Sequence, residues 1–134
     1  MKLMLNNTLM KEEDKQLLLV DLCSRLPYGV NVKTTGDNES YTLLSINTNK
    51  NFALIGLNFS DVYATSKIKI DEVKPYLRPM SSMTKEEWDD YHKVGEMPHN
   101  IIDWFNKRHF DYRHLIEKGL ALEAPEEMYK VEEE

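Results

Sequence analysis

The hydrophobic pattern of the chain is strongest between residues 41 and 59, where two apolar runs flank a polar one. The runs Tyr41–Ile46 and Phe52–Phe59 are rich in aliphatic and aromatic residues, and the run Asn47–Asn51 between them consists of turn-forming residues. This arrangement is typical of a β-hairpin. Because apolar residues occupy both odd and even positions of the two runs, we expect both faces of the hairpin to be at least partly covered.

Further strands are predicted on either side of the hairpin. The candidates are 28–34, 66–71 and the extended segment 73–79, with 62–64 as a short strand or a bend. Alternation places Val30 and Val32 on one face of the first, and Ile68 and Ile70 inward on the second. The prolines of the third predict that it ends the sheet at an edge. Short strands joined by tight turns predict a small bent antiparallel sheet, an SH3-like partial barrel.

An N-terminal helix is predicted over residues 11–26 by apolar residues at helical spacing. Its expected buried stripe consists of Leu18, Leu19, Leu22, Cys23 and Leu26. Free cysteines are usually buried, so we expect Cys23 to be a small packed hydrophobe rather than a reactive thiol.

Three helices are predicted after the sheet region. Thr84 and Glu87 form a capping box for the first, with Met83 and Trp88 as a hydrophobic staple and Gly95 as its end. The second begins near Pro98 and carries Ile101, Trp104 and Phe105 on one face; the third is short, from Asp111 as N-cap to Gly119, burying Leu115 and Ile116. We expect Trp88, Trp104 and Phe105 to cover the sheet. The predicted class is therefore α+β, with helices packed on the sheet.

Length predicts a single α+β domain at 11–125, between a loose arm at 1–10 and an acidic tail at 126–134. Cys23 is the only cysteine, which excludes an intrachain disulfide and a thiolate metal cage. No apolar run approaches the roughly 20 residues of a membrane span. We therefore expect a cytoplasmic protein.

Charge is distributed unevenly along the chain. The formal net charge is −6, and residues 81–134 carry 7 basic and 14 acidic side chains, a net charge of −7. Phosphate neutralisation dominates nucleic-acid affinity, so nucleic acid is not an expected general partner. The sheet region alone, with a slight basic excess, is not excluded by this argument.

Sequence motifs of common enzymes are missing, so we expect no catalytic activity and no cofactor. The chain lacks the patterns G-x-G-x-x-G, Walker A, G-x-S-x-G and H-E-x-x-H. A metal site of His109, Asp111 and His114 matches no established ligand spacing, so no metal is predicted.

The segment 108–114 has the densest set of groups that could bind a ligand. Its candidate residues are Arg108, His109, Asp111, Tyr112, Arg113 and His114. A helix N-terminus with arginines could hold an anion or a nucleotide; the alternative is that Asp111 only caps the helix while Tyr112 and Arg113 bridge to the sheet. Lys67 and Lys69 either protect a sheet edge or form a phosphate-facing patch with Lys33 and Arg78.

Three segments resemble pieces of short uncharacterised proteins encoded by phages and prophages of Bacteroides-like bacteria. They are 13–19, 73–84 and 109–125, which include Val73-Lys74-Pro75-Tyr76-Leu77-Arg78-Pro79 and His109-Phe110-Asp111-Tyr112-Arg113. The resemblance spans most of residues 11–130 and implies a mobile-element accessory protein in the cytoplasm of a bacterial host.

These observations lead to a hypothesis of a non-catalytic binding module that acts on a host or phage protein, for instance as a modulator of host defence. One alternative is a small-ligand binder, such as a sponge for a nucleotide signal, with Arg78, Tyr112, Arg113 and Lys67 converging on a concave site. Another alternative is nucleic-acid binding through the sheet.

Overall fold

The computed structural model of the chain describes residues 10–36, 38–57, 65–94 and 98–129. Contacts divide them into two compact units, with the boundary between Pro75 and Tyr76. We refer to residues 10–75 as the first unit and to residues 76–129 as the second unit.

The described residues contain three α-helices and six strands. The helices are α1 (Glu12–Arg25), α2 (Lys85–Val94) and α3 (Pro98–Lys107). The strands are β1 (Asn31–Thr34), β2 (Tyr41–Asn47), β3 (Phe52–Gly56), β4 (Thr65–Lys69), β5 (Val73–Leu77) and β6 (Leu122–Glu123). The strand order is β4-β3-β2-β1-β5-β6, in a sheet that is not closed into a barrel. The predicted α+β class is confirmed, whereas the SH3-like arrangement stays a prediction.

The predicted hairpin is present as β2 and β3. The strands pair antiparallel, with Leu43 opposite Ile55 and Asn47 opposite Phe52, and the register shifts between Leu43 and Ser45. This bulge explains why apolar residues fall at both odd and even positions, since an extra residue reverses the alternation. The polar turn closes with a hydrogen bond of 2.9 Å from the Asn51 amide to the Asn47 carbonyl. Residues 58 and 59 lie outside the described residues.

Alternation also predicts the neighbouring strands correctly. Val30 and Val32 are fully buried before and within β1, and Ile70 is buried directly after β4, with Ile68 half-buried. Strand β4 lies at one end of the strand order. The short strand or bend expected at 62–64 lies outside the described residues.

Strand β5 is not the sheet edge that the sequence predicts. Val73 and Pro75 pair with β1, and Tyr76 pairs with Leu122 of β6 on the other side. The β5–β6 pairing is parallel, so the sheet is mixed and the expectation of a wholly antiparallel sheet is wrong. Strand β6 has only two residues, too few for alternation to reveal it. The missing N–H of Pro75 does not disturb the pairing with β6, because that pairing involves the following residues, Tyr76 and Leu77.

Helix α1 buries the predicted Leu18, Leu19 and Leu22, but the remainder of its buried stripe differs from the prediction. Leu18, Leu22 and Arg25 are fully buried, while Cys23 is exposed, so the prediction of a packed Cys23 is wrong. The Arg25 Nε lies 2.9 Å from the Asp21 carboxylate one turn earlier, and both side chains are fully buried. Burying a charge is tolerable when its counter-charge is buried with it, so a charged pair takes the place of the expected apolar residues. The partial burial of Cys23 raises the pKa of its thiol, which lowers its reactivity.

The capping box of α2 is confirmed, and its staple is not. The Thr84 amide donates to Glu87 Oε1 at 2.9 Å, and the Glu87 amide donates to Thr84 Oγ1 at 3.1 Å. Trp88, however, is 53% exposed, which contradicts the prediction that it is buried. Glu87 and Tyr91, one turn apart, occupy the less exposed face of the helix instead. The expected end at Gly95 lies outside the described residues.

Helix α3 carries the core of the second unit; the burial of Trp104 and Phe105 is confirmed, whereas their packing on the sheet stays a prediction. Trp104 and Phe105 are each 7% exposed and form a cluster with the fully buried Phe110. Half-buried residues pack against this cluster: Met80, Met83, Tyr91, Ile101 and Tyr112. We call these eight residues the aromatic cluster.

The fourth predicted helix does not form. Residues 111–119 are a succession of turns. His114 has a φ of 62°, which interrupts a right-handed helix in the middle of the segment, and Gly119 has a φ of 76°. Asp111 still binds backbone amides, but those of Leu115 and Ile116 rather than the nearer amides that an N-cap binds.

The beginning of the expected acidic tail is held in place. The Tyr129 hydroxyl donates to the Tyr76 carbonyl at 2.8 Å, and its ring stacks on His109 with the centroids 4.0 Å apart. Glu126 and Glu127 are exposed, as expected of an acidic tail, whereas Tyr129 is held against the second unit. Residues 130–134 and the arm at 1–9 lie outside the described residues.

Candidate binding surfaces

The structure brings Arg78 to the segment 108–114. The Arg78 amide donates to the His109 carbonyl at 2.8 Å, and the Asp111 amide donates to the Arg78 carbonyl at 2.8 Å. These two bonds form a parallel bridge that is centred on Phe110. The backbone thus joins two of the regions that the sequence analysis singled out.

The Arg78 side chain is bound within the second unit. Its two terminal nitrogens each lie 2.7 Å from an oxygen of Glu87, and its guanidinium lies 4.2 Å from the centre of the Phe110 ring. Partial burial raises the pKa of the Glu87 carboxyl, but hydrogen bonds from Arg78 and Thr84 and the guanidinium charge outweigh this effect, so the pKa lies below its ordinary value. The bidentate pair therefore fixes the first turn of α2 against the aromatic cluster.

Other polar groups of the segment also bind within the second unit. The Asp111 carboxylate accepts bonds of 2.8 and 3.0 Å from the Leu115 and Ile116 amides. The Tyr112 hydroxyl donates to Asn106 Oδ1 at 2.8 Å. Asp111 and Asn106 are both buried. Since buried polar groups need partners, these contacts account for the polar atoms without a ligand.

The remaining cations of the segment lie at its surface. The Arg108 guanidinium lies 4.4 Å from the centre of the Trp104 ring and 3.8 Å from Asp90. The Arg113 guanidinium lies 4.6 Å from the centre of the Tyr112 ring. The imidazole of His114 lies 3.3 Å from Glu117, and both side chains are largely exposed. Among the described residues, no group of three potential metal ligands occurs, here or elsewhere.

Lys67 and Lys69 are exposed on β4, in the first unit, as their alternation predicts. The Lys67 ammonium lies 4.4 Å from the centre of the Phe52 ring on the neighbouring strand. Lys69 lines a concavity that sequence reasoning did not anticipate.

This lysine concavity has a volume of about 240 Å³. Its lining comes from α1, from the β2–β3 turn and from the end of β4 with the short 3-10 turn Ile70–Glu72. The lining residues are Lys15, Lys50, Asn51, Lys69, Ile70 and Asp71. Lys15 and Lys50 escaped the sequence analysis because 35 residues of chain separate them, and only the fold joins them.

A second surface that the sequence did not reveal is the outer face of α2. Lys85, Trp88, Asp89 and His92 follow one another at helical spacing, and all four are exposed. We call these four residues the Trp88 face. His92 Nδ1 lies 2.8 Å from the Trp88 carbonyl, and its ring meets the indole edge-on with centroids 4.6 Å apart.

Trp88 is connected to the aromatic cluster through Tyr91. The ring centroids of Trp88 and Tyr91 are 5.8 Å apart, and Tyr91 stacks on Phe105 at 5.7 Å. Trp104 and Phe110 stack at 5.8 Å farther inside. A continuous series of ring contacts thus connects the exposed Trp88 indole to the buried rings of the aromatic cluster. These contacts limit the freedom of the Trp88 side chain.

Comparison with known proteins gave no match to a family model, to a curated protein or to a solved structure. Within the described ranges, the helices fall short of the length and apolar character that membrane spanning requires.

Proposed function

We propose that the chain is a non-catalytic protein-binding module and that the Trp88 face is its docking surface. The observation that carries this proposal is the 53% exposure of an indole that is held on a rigid aromatic base. Tryptophan is enriched among the few residues that dominate binding energy, because it supplies a large contact area with little conformational freedom to lose.

The expected partner is a protein with an apolar slot bordered by basic side chains. Helix α2 also carries three exposed acidic residues: Glu86, Asp89 and Asp90. Residues 81–134, which contain α2, carry a net charge of −7. Complementary charge accelerates association and suppresses the wrong partners, and an indole also attracts cations over its face.

The resemblance to phage and prophage proteins suggests where such a partner occurs. A host or phage protein in the bacterial cytoplasm is the expected target, and an accessory protein of this kind would modulate host machinery such as a defence system. The rival site for a nucleotide has less support, since both terminal nitrogens of Arg78 already bind Glu87.

Site-specific photocrosslinking in the bacterial host tests this proposal. A photoreactive amino acid at position 89, beside the indole, should capture a distinct protein, and the same probe at position 118 in the second unit should not. With the captured protein purified, Trp88→Ala should weaken binding by about 30-fold or more, as expected for a dominant interface residue.

The matched control is Ile102→Ala on α3, where the native side chain is also an exposed apolar one, at 43%. This variant should bind the partner with unchanged affinity. Equal losses for the two variants, or no loss for Trp88→Ala, would contradict the assignment of the docking surface. Crosslinks that form equally from both probe positions would contradict it as well.

A further inference from the structure

The lysine concavity collects positive charge from three parts of the first unit. Lys15 comes from α1, Lys50 from the β2–β3 turn and Lys69 from the end of β4. The Ile70 amide donates to the Asn51 carbonyl at 3.1 Å, which fastens the turn to the strand end. Helix α1 contacts the 3-10 turn that follows β4. The walls of the concavity are thus held by secondary structure and by a backbone hydrogen bond.

The charges in this concavity are not balanced by the lining. The lining contains three lysines and one acidic residue, Asp71. Among the carboxylates of the described residues, none lies within 4.0 Å of the ammonium groups of these three lysines. Like charges that share a concavity repel one another, and a bound anion relieves this repulsion. The positive potential of the lining therefore favours an anion.

The size and the donors of the concavity define the class of anion. Pockets for drug-sized ligands measure about 300–1,000 Å³, so a volume of about 240 Å³ suits a smaller molecule or one end of a larger one. Lysine binds phosphate as a point charge with rotatable donors. We propose that Lys15, Lys50 and Lys69 bind a small phosphate-bearing anion, such as diphosphate or the phosphate end of a nucleotide.

This site differs from both sites that the sequence suggested for an anion. It shares Lys69 with the expected phosphate-facing patch, but the sequence analysis assigned no binding role to its other two lysines. It also lies in the first unit, so its occupation is independent of the proposed docking by Trp88. A failure of either proposal leaves the other intact.

Calorimetric titration with diphosphate, ADP and a single-stranded oligonucleotide tests the proposal. The pocket variant is the triple Lys15→Gln, Lys50→Gln, Lys69→Gln. The control variant is the triple Lys93→Gln, Lys107→Gln, Lys118→Gln, which removes the same charge from exposed positions outside the concavity. Both variants are checked for native circular dichroism before titration.

We expect wild type and the control variant to bind diphosphate or ADP at millimolar or lower concentration, and the pocket variant to bind about tenfold more weakly or worse. Amide chemical shifts in wild type should change on titration around Asn51 and Ile70. Absence of binding to wild type, equal weakening in both triples, or tighter binding to the oligonucleotide would each overturn the proposal. If the pocket variant does not fold, the amide chemical shifts of wild type alone test the proposal. Shift changes away from the concavity would then overturn the proposal.

Discussion

The segment 108–114 and the lysine concavity are both rich in charged groups, yet the two regions use them differently. In the segment and around Arg78, charged and polar side chains make ion pairs, hydrogen bonds and ring contacts within the second unit. The lining of the concavity has three lysines and one acidic residue, and none of the described carboxylates lies within 4.0 Å of a lysine ammonium there. The dense set of polar residues in the segment 108–114 therefore does not by itself indicate a binding site. Excess charge that the fold leaves unbalanced is the better guide.

The largest expected effect on stability concerns the aromatic cluster of the second unit. Trp104→Ala should lower the free energy of unfolding by about 3–5 kcal/mol, because it leaves a cavity among Phe105, Phe110 and Tyr91. Trp88→Ala, at an exposed position, should lower it by less than about 1 kcal/mol. Denaturant unfolding measures both. Similar losses would show that Trp88 belongs to the core rather than to a docking surface.

A smaller effect separates the two regions directly. Arg78→Gln should lower the free energy of unfolding by about 2 kcal/mol, since it leaves the partly buried Glu87 without its cation. Lys69→Gln should change it by no more than about 0.5 kcal/mol, because Lys69 is exposed and has no ion pair with a carboxylate of the described residues. A destabilising Lys69→Gln would mean that the lysine has an internal partner, and the comparison would fail.

Acidic pH should remove the stabilisation that the Arg78–Glu87 ion pair gives to the folded chain. The pKa of Glu87 lies below its ordinary value of 4.5 in the folded chain, so the unfolded chain takes up the proton first. The stabilisation by the pair is therefore complete above the ordinary value and is lost as the pH falls through the folded pKa. The difference between wild type and Arg78→Gln should shrink between about pH 6 and about pH 3. A constant difference over this range would show that the guanidinium acts through packing on Phe110 instead.

The smallest effect distinguishes two histidines with the same backbone conformation. His114 and His109 have φ of 62° and 63°, which glycine adopts with less strain. His114→Gly should leave stability unchanged or raise it by up to about 1 kcal/mol, because its side chain is exposed. His109→Gly should destabilise, because it removes the stack on Tyr129. Thermal unfolding of both variants checks this; a destabilising His114→Gly would point to a structural role for that side chain.

The features that the sequence predicted correctly are local ones. The capping box depends on residues three positions apart, and the hairpin depends on two apolar runs around one turn. The features that it missed depend on conformation or on distant residues. A fourth helix is excluded by one left-handed residue, His114, whose φ no apolar pattern reveals. The place of β5 inside the sheet depends on a strand of two residues, 45 positions later.

The candidate sites follow the same division. The small-ligand alternative required Arg78 to lie near the segment 108–114, and a backbone bridge joins them. Sequence reasoning did not foresee that Glu87, which it had assigned to a capping box, would also bind that arginine. It missed the exposure of Trp88, because the helical pattern shows which residues share a face but not which face is covered. Lys15 and Lys50 carried no local signal at all.

The two tryptophans, the only ones in the chain, also act as built-in spectroscopic reporters. The indole of Trp88 is 53% exposed and that of Trp104 is 7% exposed, so their emission should differ in wavelength and in access to a dissolved quencher such as iodide. Docking of a partner should protect the Trp88 indole from the quencher while the emission wavelength of the buried Trp104 stays constant. A red shift of the Trp104 emission would register unfolding. One unlabelled sample can thus separate binding from loss of structure.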